Sequence, residues 1–428
     1  MERYLKILRH RAEAVFAAKL LSVFLGFLVS YMTVNFYGSE TLGLLALSTF
    51  FSTLIMLVAT FGAKSSSIHF ATQAVVAKSF EQLSRTINLI LFATLALTVA
   101  ISIFLVCFSS FFAELVLGGS ANYGYVELIA LFAVFRSAGE VLTAVTRVTA
   151  SALSFAILVL SPTFFQVAFT ILAIILDLDL HWIIIAYLAS SISILPIAFF
   201  INLKKLFVLR KSLDRRPSHR LSLYNFFNFS SPFAFSEILA YFFPQVGLIA
   251  SVYLLDKSFA GYYSIALKLS ILPSFVVFSF NSVSAPRISA LYNSGRISEL
   301  KDYVRSANKK GFFYSVALIL LIALTSSFFV EIAFGVEYLV SVPSTLVLLV
   351  AQFVRSLSGS SDPLMHMTGG QRSLRNILMF SFFFSTAAMF ALTPIIGFIG
   401  ISVSYLGGVL LWKVLSVIHL YRRFGFIM

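Results

Sequence analysis

Five basic side chains stand inside long apolar stretches of this chain: Lys19, Arg136, Lys268, Arg355 and Lys413. Their acidic companions are Glu140, Glu237 and Asp362, with Glu127 nearer the end of its stretch. A central Arg or Lys costs ~2.5–3.5 kcal/mol in a lipid-spanning helix even on the lenient insertion scale. Arginine's fork matches two phosphate oxygens, and lysine supplies a point charge. The surplus of cations therefore predicts an anionic cargo. Arg136, Glu140, Thr143 and Arg147 fall at i, i+4, i+7 and i+11, one narrow polar stripe at helical pitch. Arg355, Gly359, Asp362 and His366 repeat that stripe, with Pro363 placed to end the helix early. Matching stripes predict two walls facing one central cleft. A cleft with surplus cations and walls rich in Phe and Leu suits an amphiphilic anion with a lipid tail better than a cationic drug.

Each residue also has a plainer reading. Lys19 and Lys413 lie within snorkelling reach of a membrane surface. Arg136 and Glu140 make an ion pair that pins helices, although Arg355 in the matching slot has no acid at i+4. Glu237 shares its stretch with Pro232 and Pro244. As a buried acid it would carry a proton or Na+, since desolvation favours the neutral form; a helix–helix hydrogen bond is the alternative. The prolines permit bending and are also commoner in membrane helices.

The elements that position these groups follow from composition. Of 428 residues, 59% are hydrophobic, 11% are charged and 48 are Phe. Soluble domains carry roughly 25% charged residues. So much apolar surface requires lipid as solvent, and in lipid only helices and closed barrels satisfy their backbones. The apolar runs are continuous over ~20 residues, the length of a helical crossing, rather than alternating like barrel strands. They predict twelve spans: 14–36, 41–62, 86–112, 122–146, 153–176, 181–203, 228–254, 260–284, 312–330, 340–361, 377–393 and 398–420. The fold class is thus an all-α polytopic membrane protein.

The net charge is +14, which in a soluble protein would suggest nucleic acid. Here the positive-inside rule explains it, and no nucleic-acid partner is expected. Of 31 Lys and Arg, five lie within spans and Lys257 alone falls in an opposite-side loop; the other 25 sort to one side. That side is read as cytoplasmic, with both termini on it. The basic, then apolar, start of the chain reads as a retained first span rather than a cleaved signal. Sequence features recur at an offset of about 218: Gly43 with Gly261, Lys78 and Glu81 with Arg296 and Glu299, Lys204-Lys205 with Arg422-Arg423, and Arg136-Ser137 with Arg355-Ser356 one residue further. Six spans per half is even, so the halves are parallel repeats of the kind transporters use. The expected layout is a six-helix lobe over 1–204, a cytoplasmic linker over 205–227 and a second six-helix lobe over 228–428.

Catalytic chemistry finds little footing. The longest stretches outside the spans, about 205–227 and 285–311, are short and cytoplasmic. No glycine-rich phosphate loop and no metal-spaced His or Cys cluster occurs. Asp177-Leu-Asp179 resembles a metal-carboxylate motif, but a solvated outer turn accounts for it. Asn228-Phe-Ser230 fits a glycosylation sequon on the wrong side of the membrane. The single cysteine, Cys107, can close no intramolecular disulfide.

Several further patterns carry a family resemblance: Phe36-Tyr-Gly with Leu42-Gly43, Gly261-Tyr-Tyr-Ser-Ile-Ala-Leu-Lys268, and Ala285-Pro-Arg-Ile-Ser-Ala-Leu-Tyr292 followed by Gly295-Arg and Glu299-Leu300. To these add Thr368-Gly-Gly-Gln-Arg372 and Pro394-Ile-Ile-Gly397-Phe-Ile-Gly400. Over essentially its whole length the chain resembles the Wzx-type polysaccharide (O-antigen) flippases of the multidrug/oligosaccharidyl-lipid/polysaccharide (MOP) exporter superfamily. The resemblance implies a V-shaped pair of six-helix lobes, alternating access in a bacterial cytoplasmic (inner) membrane, and no enzymatic activity. It implies carriage of an undecaprenyl-pyrophosphate-linked oligosaccharide to the outer leaflet, coupled to a Na+ or H+ gradient. Partners are then the polyprenyl-pyrophosphate-linked glycan, the bilayer and other membrane proteins of polysaccharide assembly. Arg136, Arg355, Lys268, Lys19 and Lys413 would hold the pyrophosphate, and Glu237, Glu140 or Asp362 would couple the ion. Drug-exporting relatives tend to place an acid in the first lobe's cleft, whereas here Lys19 sits in the first span. A drug–cation antiporter is the competing transporter reading. A membrane polysaccharide polymerase or glycosyltransferase would need a sizeable outer loop that this chain lacks.

Overall fold

The computed structural model describes residues 2–63, 66, 67, 70, 71, 74, 79–117, 123–212 and 222–425. Lys64, Lys78 and the linker cations Arg215, Arg216 and Arg220 lie outside the described residues, as do the side chains of Arg147 and Pro232. Among the described residues there are fourteen α-helices and no strand.

The first helix, α1 (Glu2–Thr60), contains one break at Gly38 (φ 83°, ψ 177°). Only glycine adopts that conformation without strain. The apolar part of α1 is 44 residues long. At ~1.5 Å per residue it covers about 66 Å, twice a ~30 Å hydrocarbon core. It is therefore two crossings joined at Gly38. Among the described residues ten further helical segments are long and apolar enough to span. Together they make the predicted twelve, and the protein is a multi-pass membrane protein.

The next crossing is α2 (Phe80–Cys107), whose N-terminus Ser79 caps by accepting from the Gln82 N–H. It yields to the short α3 (Ser109–Leu117). Then come α4 (Tyr123–Thr149) and α5 (Ala152–Ile175). A tight turn follows, with Asp177 at φ 50°. The sixth crossing is α6 (Leu180–Ser190) and α7 (Ile194–Ser212), joined by a 3₁₀ turn. Beyond the linker run α8 (Leu223–Leu254), α9 (Lys257–Asn293), α10 (Ile297–Phe334) and α11 (Ser341–Leu357). A two-turn helix, α12 (Ser361–Met367), precedes α13 (Gln371–Ile396) and α14 (Ile399–Phe424).

Two expectations need correction. The stretch 285–311 is not a loop: α9 runs to Asn293 and α10 starts at Ile297. The first turns of α10 are charged on one side, but Leu300, Val304, Asn308 and Gly311 are buried at helical spacing. Hydropathy averaged over a window hides such a face. The second polar stripe is also interrupted. The α11 helix stops at Leu357, and Pro363 falls in the first turn of α12, where no backbone N–H is needed.

The chain forms two compact units. The first comprises Met1–Tyr37 and Leu45–Ile238. Its packing includes a cluster of Ala63, Ile90, Ala93, Val141 and Phe226, so the start of α8 belongs to it. Ser230 donates to Ser66 there at 2.9 Å, and a Cβ on Gly62 would stand 2.6 Å from the Ser230 carbonyl oxygen. The second unit comprises Gly38–Leu44 and Leu239–Met428. Gly43 and Gly261 meet in it: a Cβ on Gly43 would lie 2.6 Å from the Lys257 carbonyl oxygen, and one on Gly261 would lie 2.6 Å from that of Ser39. Backbone approach this close tolerates no side chain.

Candidate functional site

In the second unit, three of the predicted site residues come together although they lie on three helices. Lys413 of α14 is 4% exposed, and its Nζ reaches both carboxylate oxygens of Asp362 on α12, at 2.8 and 3.0 Å. It also donates to Ser361 Oγ at 3.3 Å. A lysine so enclosed does not snorkel, and that reading of Lys413 falls. Its Nζ stands 4.1 Å from the centre of the Trp412 ring, and the Arg355 guanidinium carbon stands 5.6 Å from it. A cation over an indole face is attracted by the ring's quadrupole. Arg355 donates weakly to Gln352 Oε1 at 3.5 Å, and the Tyr405 hydroxyl lies beside it.

Two asparagines brace the break between α11 and α12. Asn308 Oδ1 accepts from the Ser360 N–H at 2.9 Å. Asn281 Nδ2 donates to the Gly359 carbonyl at 3.2 Å, and its Oδ1 accepts from Ser360 Oγ at 3.3 Å. A Cβ on Gly359 would stand 2.8 Å from Asn308 Oδ1. A side chain at Gly359 would push the Asn308 amide off the Ser360 N–H, and the break sets Asp362 against Lys413. His366 ends the short helix. Burial lowers its pKa, with Asp362 opposing, so it is not a third cation at neutral pH.

The spare hydrogen-bonding capacity of this cluster is mostly donor. Among the described residues the Trp412 Nε1–H and the Asn308 Nδ2 amide have no partner, and these residues are only 6% and 7% exposed. Arg355 carries five N–H donors, more than Gln352 and Tyr405 can take up. The charged groups are two cations and one anion. Buried unpaired donors cost ~1–3 kcal/mol each, so an acceptor-rich group is what the cluster lacks.

In the first unit, Arg136 on α4 donates to Ser52 Oγ at 3.2 Å, and Tyr187 stands beside both Thr49 and Arg136. Arg136, Glu140, Glu237 and Lys19 are all partly buried, as is Lys268 in the second unit. Glu127 is exposed and accepts from Ser109 Oγ at 3.4 Å. Sequence reasoning missed Trp412, Gln352, Asn308 and Ser361. Asn308 was findable, since it occupies a register position on the buried stripe of α10, between Val304 and Gly311. Trp412, one of two tryptophans, adjoins Lys413. The first-unit stripe is helical throughout, because α4 runs unbroken from Tyr123 to Thr149. Among the described residues no group of three or more His, Cys, Asp or Glu side chains is placed to hold a metal.

Solved structures share this fold over almost the full chain. An inward-facing multidrug resistance MATE family transporter of the MOP superfamily aligns with a TM-score of 0.75 at 14% identity, covering 97% of this chain and 98% of that one. The MATE multidrug transporter DinF-BH gives 0.73 at 14%, covering 97% and 95%. A MOP superfamily transporter from Pyrococcus furiosus, described as having a binding pocket of reverse polarity that suggests a different function, gives 0.72 at 16%, covering 98% and 96%. No curated protein matches the chain in sequence. These likenesses establish the MOP transporter fold. The model of one family, described as polysaccharide biosynthesis protein, matches residues 35–343, well over half of the chain. A twelve-crossing helical membrane protein with the MOP fold, this chain belongs to the polysaccharide biosynthesis protein family.

Proposed function

We propose that this protein is a flippase that moves an undecaprenyl-pyrophosphate-linked oligosaccharide, an O-antigen or similar repeat unit, from the cytoplasmic to the outer leaflet of a bacterial inner membrane. The observation that carries the proposal is the second-unit cluster, in which Asp362 pairs with Lys413, Arg355 stands over the same Trp412 ring without a carboxylate among the described ion pairs, and the remaining buried capacity is mostly donor. Such a cluster suits a pyrophosphate, which offers only acceptors and negative charge. Arg136, Lys268 and Lys19 are further cations of the same pathway. Transport proceeds by alternating access and draws on a Na+ or H+ gradient, through Asp362, Glu237 or Glu140. The termini and the linker over 205–227 are cytoplasmic. Membership in a polysaccharide biosynthesis family supports a glycan cargo. The multidrug transporters that share the fold suggest a drug–cation antiporter instead. The net positive cluster around Trp412 argues against it, because a cation would meet two like charges.

Transport in vesicles tests the proposal. The protein is reconstituted with a defined polyprenyl-pyrophosphate glycan, and Na+ and H+ gradients are imposed separately. Protein-dependent appearance of glycan in the opposite leaflet, accelerated by one gradient, is expected. Gradient-driven movement of a cationic dye with no movement of the glycan would establish the antiporter.

A further inference from the structure

Lys413, a cation proposed to hold the cargo, is already neutralised within its own unit. Its Nζ lies 2.8 Å from Asp362 Oδ2, and the two side chains are 5% and 27% exposed. The carboxylate therefore stands on the more open side of the pair. An anion approaching Lys413 meets Asp362 first. Among the described residues, the charged and titratable groups placed against Asp362 or its partner are Lys413 of α14, Arg355 of α11 (which acts on Lys413) and His366 on its own helix. Asn281 of α9 and Asn308 of α10 hold the preceding backbone but carry no charge. No carboxylate pairs with Arg355 among the described ion pairs.

We propose that Asp362 is a displaceable internal counter-ion, which gives up Lys413 to the anionic head group and takes a proton as it does so. The proposal rests on the anionic-cargo reading. When the head group engages Arg355 and Lys413, two anions compete for one ammonium in an enclosed site. Like charges that close disfavour joint ionisation, and the weaker acid protonates. One O–H bond forms on Asp362 with a proton from solvent, while Lys413 keeps its three protons and the anion is chemically unchanged. The Trp412 Nε1–H, without a partner among the described residues and on a side chain more than nine-tenths buried, supplies a neutral donor to the incoming oxygens. Proton and anion then bind together, each raising the affinity for the other by the same factor.

Sulfate, whose charge is fixed through the neutral range, is the probe, added to the purified full-length protein. An infrared difference spectrum on sulfate addition is expected to show a new protonated-carboxyl C=O band. That band should shift in Asp362→Glu and vanish in Asp362→Asn. Sulfate affinity of the unmodified protein should rise by up to about tenfold for each pH unit lowered, the limit for one linked proton. Arg355→Ala should abolish binding. If sulfate binds through Arg355 with no carboxyl band, or with a band unmoved in Asp362→Glu, the exchange is overturned and the anionic-cargo reading stands. Proton uptake lost in His366→Gln, with no carboxyl band, likewise overturns it. Failure of both sulfate and inorganic pyrophosphate to bind would overturn the cargo reading, and the exchange with it.

Discussion

Arg355 and Lys413 differ in what their loss should do. Arg355 is half-buried, over Trp412 and beside Tyr405, with no acid of its own. We expect Arg355→Ala and Arg136→Ala each to lower glycan export about tenfold or more, the worth of a charge-assisted hydrogen bond at ~1.5–3 kcal/mol. Membrane insertion and abundance should stay unchanged, as quantified by immunoblotting and surface polysaccharide. Arg355→Lys should retain more export than Arg355→Ala, because it keeps the charge and loses only the fork. Equal loss in both would show that the fork itself is required. Removing one partner of the Lys413–Asp362 pair is a different perturbation. It strands a buried charge and should cost ~3–5 kcal/mol in thermal unfolding. Replacing both, as Asp362→Leu with Lys413→Met, should restore most of that stability and still abolish export. Recovered export would reduce the pair to a structural strut. The residues of this cluster were legible from their charge alone, since an apolar run that contains Arg or Lys is conspicuous. Their meeting was not. Asp362 and Lys413 lie 51 positions apart, and a helix break that depends on Gly359 and Asn308 sets their register.

Among the elements, the helices were legible because lipid demands ~20 apolar residues per crossing, and eleven of the helical segments display them openly. What hydropathy could not show is where a helix continues beyond lipid. The early turns of α10 carry Glu299, Lys301, Arg305, Lys309 and Lys310, yet they bury Leu300, Val304 and Asn308. Gly43 and Gly261, matched in sequence as repeats, turn out to touch. A methyl at either would meet a backbone carbonyl that cannot swing aside. Gly43→Ala and Gly261→Ala are each expected to destabilise the protein by ~1–3 kcal/mol, the usual cost of overpacking. Gly26→Ala, with nothing within 4 Å of the added carbon, is the matched control and should be near neutral. Melting of the three purified variants decides it. An unchanged melting temperature for Gly261→Ala would mean that the helices separate at little cost.

At the scale of the whole molecule, sidedness is the testable property. In a Cys107→Ser background, a cysteine at Asp179, in the turn between α5 and α6, should react with an impermeant thiol reagent added outside intact cells. One at Arg375, near the start of α13, should react only after the membrane is opened. The reverse pattern would invert the topology on which the direction of flipping depends. The family match places the chain among polysaccharide biosynthesis proteins, the shared fold is that of membrane transporters, and the composition had already excluded a water-soluble protein.

The seven-residue stretch Gly38–Leu44 belongs to the second unit although the ribosome makes it well before the rest of that unit, which starts at Leu239. Its neighbours Lys257 and Gly261 emerge roughly 200 residues later, and at ~5–20 residues per second that is a delay of about 10–40 s. For that interval the early crossing sits in the bilayer with its close-packing face empty. The second unit cannot close until its own α9 reaches back to a piece threaded long before. Biogenesis of this protein is therefore a matter of keeping an early helix parked and unspoiled. Any factor that shields small-residue faces during insertion would act on this stretch first.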